Sequence, residues 1–272
     1  MLNHIGEEKR LEAMGLVREG RLYDLSHTLD ENVPAFAGRY FRQTLVTTAH
    51  HANPEGGVGE NDVNWITEQV AGTMQLGTHI DALSHLQMGG RGYNGWSVSD
   101  LAGSAGVSRL GAETIPQIVT PGWLVDVPAV RGVERLGRGE VITVEDLERA
   151  GVVAEPGDAV LFHTGWSARW ETPEAYLEGE PGPGCAVANW LVSRGVALTG
   201  CDTWSYGPVP AENADRPFEV PQILNVRHGV FVVENLDTSA LAADGRKQFA
   251  LILTHPKLRG ASGAWTAPIA LV

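Results

Sequence analysis

Short apolar runs bounded by Gly, Pro, Asn and Asp dominate the chain, and they set its predicted elements. Gly122-Trp-Leu-Val-Asp-Val127 and Ala159-Val-Leu-Phe-His163 are compact runs of strand type, and residues 144–150 predict a short helix between them. Helical spacing over 186–194 stops at Gly195, after which 196–199 reads as a buried strand and 229–234 and 249–254 as two more. Nearer the start, Glu7, Glu8, Lys9, Arg10 and Glu12 are interspersed with apolar positions, the pattern of a short amphipathic helix. Leu22-Tyr-Asp-Leu-Ser26 then predicts a strand, 27–38 a loop punctuated by Pro34 and Gly38, and 44–49 another β-prone segment. The Gly-, Asn- and Pro-rich stretch 50–61 reads as an exposed loop and a lid candidate.

Strands outnumber helices, and strict strand-helix alternation is incomplete. The predicted fold is therefore α/β: a mixed β-sheet or small barrel-like β core flanked by helices. Residues 1–20 form an N-terminal helix and 21–272 one domain, within the size a single core can support.

Composition narrows the partners. Hydrophobic residues make up 43% and charged residues 19%, which supports a well-filled core. A net charge of −13 without clustered Lys and Arg excludes nucleic acid and anionic membrane as expected partners, leaving a small-molecule substrate. Cys185 and Cys201 belong to no thiolate metal pattern and predict no disulfide framework. With no apolar run of membrane-spanning length and no signal-peptide pattern, the expected location is cytoplasmic.

The chemistry concentrates in Gln75-Leu-Gly-Thr-His-Ile-Asp-Ala-Leu-Ser-His85. If 75–81 is extended, Gln75, Gly77, His79 and Asp81 share one face, because side chains alternate with period two. Imidazole with carboxylate suits Mn²⁺, Zn²⁺ or Fe²⁺, and Gly77 leaves room for close approach to the ion. His85, four residues past Asp81, can fold back as a general base towards a water that the ion activates.

Gly77-Thr-His-Ile-Asp81 followed by His85 resembles the signature of the cyclase family, His-x-Gly-Thr-His-x-Asp-x-Pro-x-His, whose members include bacterial kynurenine formamidases and isatin hydrolases. The resemblance runs from about Leu22 to about Thr254. Tyr23-Asp-Leu-Ser-His27 is similar to the family's opening strand, Pro34-Ala-Phe-Ala-Gly38 to its aromatic-bearing loop, and Leu161-Phe-His-Thr-Gly-Trp166 to its central strand. Gly200-Cys-Asp-Thr-Trp-Ser205 is similar to a later turn, and Gly229-Val-Phe-Val-Val-Glu-Asn-Leu236 to the strand that supplies the family's site glutamate, here Glu234.

Two departures bear on the metal. Gln75 and Gln222 stand where dinuclear zinc formamidases of the family place histidines, and amides are weak ligands. The resemblance therefore implies one ion per chain, Mn²⁺ with Zn²⁺ as the alternative, held by His79, Asp81 and Gln222 in the manner of the isatin hydrolase branch. Leu83 in place of the motif's Pro alters only loop stiffness. The implied reaction is opening of a cyclic amide, isatin or a related lactam, with His85 as base and Glu234 orienting the water or returning a proton to nitrogen. An aryl formamide or a lactone is the alternative substrate, and a non-catalytic binding descendant the alternative class. Phe36, Trp65 and Gln75 are the candidate substrate contacts, with Arg39 and Arg42 candidates to hold a carboxylate. The family also implies a homo-oligomer, dimer or tetramer, with the N-terminal helix packing on a neighbour. His163 reads as a satisfied core residue, and His50, His51 and His228 as exposed.

Overall fold

The computed structural model describes residues 1–47 and 56–272, so the first half of the lid candidate 50–61, residues 50–55, lies outside the described residues. Its strands of three or more residues are β1 (Leu22–Asp24), β2 (Phe41–Thr47), β3 (Thr67–Gly72), β4 (His79–Asp81), β5 (Ile118–Asp126), β6 (Ala159–His163), β7 (Leu198–Cys201), β8 (Phe231–Glu234), β9 (Gln248–Leu253), β10 (Gly263–Trp265) and β11 (Ile269–Leu271). All but β2 and β3 join one nine-stranded sheet in the order β1-β11-β9-β5-β6-β7-β8-β4-β10. The central run from β5 to β8 is parallel, and the strands on both sides of it are antiparallel. The expected mixed sheet is thus the fold, with helices α1 (Glu7–Met14), α2 (Val144–Ala150) and α3 (Cys185–Ser193) around it.

A parallel centre needs cover on both faces, and its residues divide accordingly. On β6, Leu161 joins one apolar cluster with Val233 and Phe249, while Val160 and Phe162 join another with Val187 and Leu191 of α3. Capping fixes where the helices begin and end. Thr143 and Asp146 form a capping box at the start of α2, and Gly151, at φ 76°, ends that helix in a left-handed turn.

The N-terminal helix lies on β5 and β9 of its own chain. Ala13 is fully buried there, and Lys9, 8% exposed, reaches Asp158 Oδ1 at 2.6 Å. Its opposite face leaves Leu11 and Met14 exposed. The ribbon of β2 and β3 stands apart from the main sheet, and Leu45, Val46, Ile66 and Val70 along it are exposed.

Candidate metal centre

Strand pairing, together with the chain's local conformation, assembles the centre. His79 and Asp81 occupy alternate positions of β4 and therefore share a face, while Glu234 at the end of β8 is registered directly opposite His79. On the other flank, β10 sets Gly263 opposite Asp81 and Trp265 opposite His79. A β-carbon on Gly263 would lie 2.7 Å from Gln75 Nε2 and 3.5 Å from Asp81 Oδ1, so the absence of a side chain there keeps the centre open.

The strand is shorter than the motif predicts. Only His79–Asp81 is extended, because Gly77 adopts a left-handed φ of 60° and turns the chain before it. A β-carbon at Gly77 would lie 2.2 Å from Leu29 Cδ2, so both space and backbone favour glycine. Gln75 consequently reaches the site across a turn, with its Nε2 donating to Ser262 Oγ at 3.2 Å.

Asn235 holds this turn in place. Its Nδ2 donates to the Gly77 carbonyl at 3.0 Å, its own carbonyl accepts from Thr78 Oγ1 at 2.5 Å, and its Oδ1 accepts from the buried Tyr176 hydroxyl at 2.8 Å. The same Gly77 carbonyl lies 2.8 Å from His79 Nδ1. A carbonyl only accepts, so Nδ1 carries the proton and the Nε2 lone pair faces Asp81 and Glu234.

Three ligand atoms converge, one each from His79, Asp81 and Glu234, all within 4.8 Å of one another. His79 Nε2 lies 3.7 Å from Asp81 Oδ1 and 3.3 Å from Glu234 Oε2. Among the described residues, His79 Nε2 and Asp81 Oδ1 are buried without a hydrogen-bond partner, an arrangement that is costly unless something else satisfies them. Burial pushes the Asp81 carboxyl up and that of Glu234 up to about 8, and it lowers His79. An imidazole nitrogen with two buried carboxylates fits a divalent ion of intermediate hardness, and neither cysteine belongs to the group.

The group opens into a cavity of about 320 Å³ whose wall includes Phe36, Arg39, Gln75, His85, Trp204 and Phe218. His85 sits on the turn after β4, one-quarter exposed, with Nε2 4.0 Å from Asp81 Oδ1. Phe36 packs edge-on against Trp204, with ring centroids 4.7 Å apart. Of the expected site residues, His79, Asp81, His85, Glu234, Phe36 and Gln75 are therefore brought together.

Trp65 and Gln222 stand apart from that wall. Trp65 is 47% exposed just before β3. Gln222 is half-buried at the start of the π-helical turn Gln222–His228, next to Pro221, which does line the cavity. The structure also sets Glu234, expected to move protons, inside the ligand cluster itself. His163 is a satisfied residue, with Nδ1 2.8 Å from Thr238 Oγ1, and His228 is exposed. His50 and His51 lie outside the described residues.

Sequence reasoning gave no role to Ser205 or Phe218. The former lies within the landmark 200–205, and the latter holds a strained left-handed φ of 56° at the cavity. Behind them, buried Glu180 accepts the backbone N–H groups of Trp204 at 2.6 Å and Ser205 at 3.0 Å and so fixes this wall.

The Cyclase family model matches residues 23–208. A crystal structure described as a novel cyclase is similar over 100% of this chain and 95% of that one, at 26% identity and a TM-score of 0.87. Isatin hydrolase A from Labrenzia aggregata, bound to benzyl benzoate, is similar at 22% identity and a TM-score of 0.69, covering 96% of this chain and 95% of that one. Isatin hydrolase A from Ralstonia solanacearum is similar at 21% identity and a TM-score of 0.68, covering 93% of this chain and 92% of that one. No curated protein sequence matches the chain. No helix among the described residues is long and apolar enough to cross a membrane.

Proposed function

The chain belongs to the cyclase family, and from that premise we propose that it is a metal-dependent hydrolase opening a cyclic amide, isatin or a related lactam. The observation that carries the reading is the convergence of His79 Nε2, Asp81 Oδ1 and Glu234 Oε2, two of these buried atoms lacking any hydrogen-bond partner among the described residues. In this reading those three side chains hold one ion per chain, Mn²⁺ or alternatively Zn²⁺, and Glu234 takes the ligand place that the sequence assigned to Gln222. When bound, such an ion polarises a carbonyl and acidifies water.

The chain's own groups complete the reaction. His85 removes the proton from the attacking water, a role supported by its place in the cavity beside Asp81. Glu234, ionised as a ligand, orients the water by accepting its hydrogen bond, and His85 passes the proton it has taken to the departing nitrogen as the C–N bond breaks, leaving a carboxylate and a free amine. Phe36 and Trp204 cover the substrate ring, and Gln75 lines the cavity beside them.

The test is isatin ring opening by protein stripped with chelator and resupplied with Mn²⁺ or Zn²⁺ separately. Activity that vanishes and returns best with Mn²⁺ at one ion per chain is the expected result. Cleavage of an aryl formamide or a lactone in its place would keep the centre and overturn the substrate.

The same reading includes a homo-oligomer in a cytoplasmic setting. The homo-oligomer is supported by the exposed apolar ribbon, where Leu45 is 60% and Ile66 66% exposed, since neighbouring exposed apolar side chains mark an interaction surface. In sedimentation equilibrium, wild type is expected above monomer mass and Leu45→Glu with Ile66→Glu at monomer mass. A monomeric wild type would remove the proposal.

A further inference from the structure

Among the described residues the cavity wall contains one permanently cationic side chain, Arg39, and its position is built. The Arg39 N–H donates to the Phe36 carbonyl at 2.9 Å across a turn in which Gly38 holds a φ of 87°. The guanidinium carbon lies 5.8 Å from the centre of the Phe36 ring, and Nη1 donates to the Gln75 carbonyl at 3.0 Å. One nitrogen is thus anchored to the same turn that carries the metal motif. Among the described residues Arg39 forms no ion pair, so the rest of its planar fork is free to meet a ligand.

Counting charge gives this position its meaning. Among the described residues Asp81 and Glu234 are the two carboxylates of the cavity wall, and a divalent ion held by them and His79 would cancel both charges. Arg39 is then left as a net positive charge in a cavity of about 320 Å³, within a chain of net charge −13. Arg39 is an exposed residue, so a neutral substrate leaves that charge to solvent alone, whereas an anion of matching planar geometry meets its fork directly.

We propose that the substrate already carries a carboxylate before hydrolysis, held by the free side of the Arg39 fork, with an adjoining ring covered by Phe36 and Trp204. The inference rests on the hydrolase reading for the bound ion and for the identity of the bond that is cut. The carboxylate newly formed by hydrolysis is a different group, generated at the centre of His79, Asp81 and Glu234. Arg39 therefore selects the substrate and takes no part in the bond cleavage.

Metal-loaded full-length protein would be given isatin and its ring carboxylates, and formanilide and its ring carboxylates, as wild type, Arg39→Gln and Arg39→Lys. At least one carboxylate isomer is expected to exceed its neutral parent in kcat/KM by about 10-fold or more, chiefly through KM, as a charged hydrogen bond implies. In Arg39→Gln the ratio of anionic to neutral substrate should collapse towards one, and Arg39→Lys should recover part of it. No preference in wild type, or an equal loss for both substrates in Arg39→Gln, would overturn the proposal.

A binding measurement separates this failure from that of the hydrolase reading. Tryptophan fluorescence would follow titration with benzoate and with the benzenedicarboxylates, which share one carboxylate and differ by the second. Tighter binding of a dicarboxylate that disappears in Arg39→Gln would uphold the anion subsite even if no amide were cut. Equal binding of both ligand types would reject the subsite even if the amides were hydrolysed.

Discussion

Replacing His85 with alanine is expected to lower turnover by about 10²- to 10⁴-fold, the range associated with loss of a general base, while the protein still binds one ion per chain. The separation of these two effects follows from position. His85 lies at the cavity with Nε2 4.0 Å from Asp81 Oδ1, outside the group formed by His79, Asp81 and Glu234. Its backbone is held independently of its ring, through the N–H to the Ala82 carbonyl at 2.9 Å and the carbonyl accepting from Gln87 Nε2 at 3.2 Å. Removing the ring therefore leaves the turn and the ligand strand in place. Added imidazole should restore part of the activity, since the cavity of about 320 Å³ admits it. Calorimetric ion titration beside steady-state kinetics decides the matter. Loss of the ion would make His85 a ligand, and undiminished turnover would remove it from the reaction. The variant also separates an enzyme from a binding protein, which would have no turnover to lose.

The core of the site was legible because it depends on local periodicity. His79 and Asp81 are two residues apart, and any extended conformation sets them on one face, so their pairing follows from the sequence without knowledge of the fold. Glu234 could not be placed that way. It meets His79 through the register of two antiparallel strands that lie more than 150 positions apart in sequence, and only the family resemblance pointed to it. The extended reading of 75–81 failed at Gly77, where a left-handed turn and the close approach of Leu29 displace the period-two argument. Strands β5, β6 and β9 were legible as continuous apolar runs, as expected for strands buried on both faces. β10 and β11 were not, because each has only three residues and carries too little pattern, although β10 forms one flank of the centre. The Trp204, Ser205 and Phe218 wall escaped for a different reason: it is built by the backbone contacts of Glu180 and by a left-handed Phe218, which no spacing rule describes.

Removing the ion is expected to make stability depend on pH in a direction opposite to ordinary acid unfolding. Burial raises the Glu234 carboxyl from 4.5 to about 8 and also raises Asp81. A carboxyl raised on folding binds more protons in the folded than in the unfolded state, so its favourable contribution is complete below the unfolded value and is lost as pH rises through the folded one. Burial lowers His79 and His27 from 6.5 and so acts in the opposite sense below that value, and the melting temperature of chelated protein should therefore fall between about pH 6.5 and about pH 8. An ion binds the ionised carboxylates and displaces their protons, so ion-loaded protein should keep its stability across that interval and gain most over the chelated form at its upper end. Asp81→Asn removes one buried charge, and two opposed changes are expected from it. The chelated variant should be more stable than chelated wild type near pH 8, while its ion affinity falls by about 100-fold or more, at the upper end of what even an outer partner of a metal ligand costs. Glu234→Gln should flatten the pH dependence of the chelated protein over the same interval, since it removes the group raised to about 8. Scanning calorimetry with and without chelator, at several pH values, measures all three. If chelated wild type instead gains stability as pH rises through that interval, the two carboxylates are held ionised without an ion, and some other positive group must neutralise them.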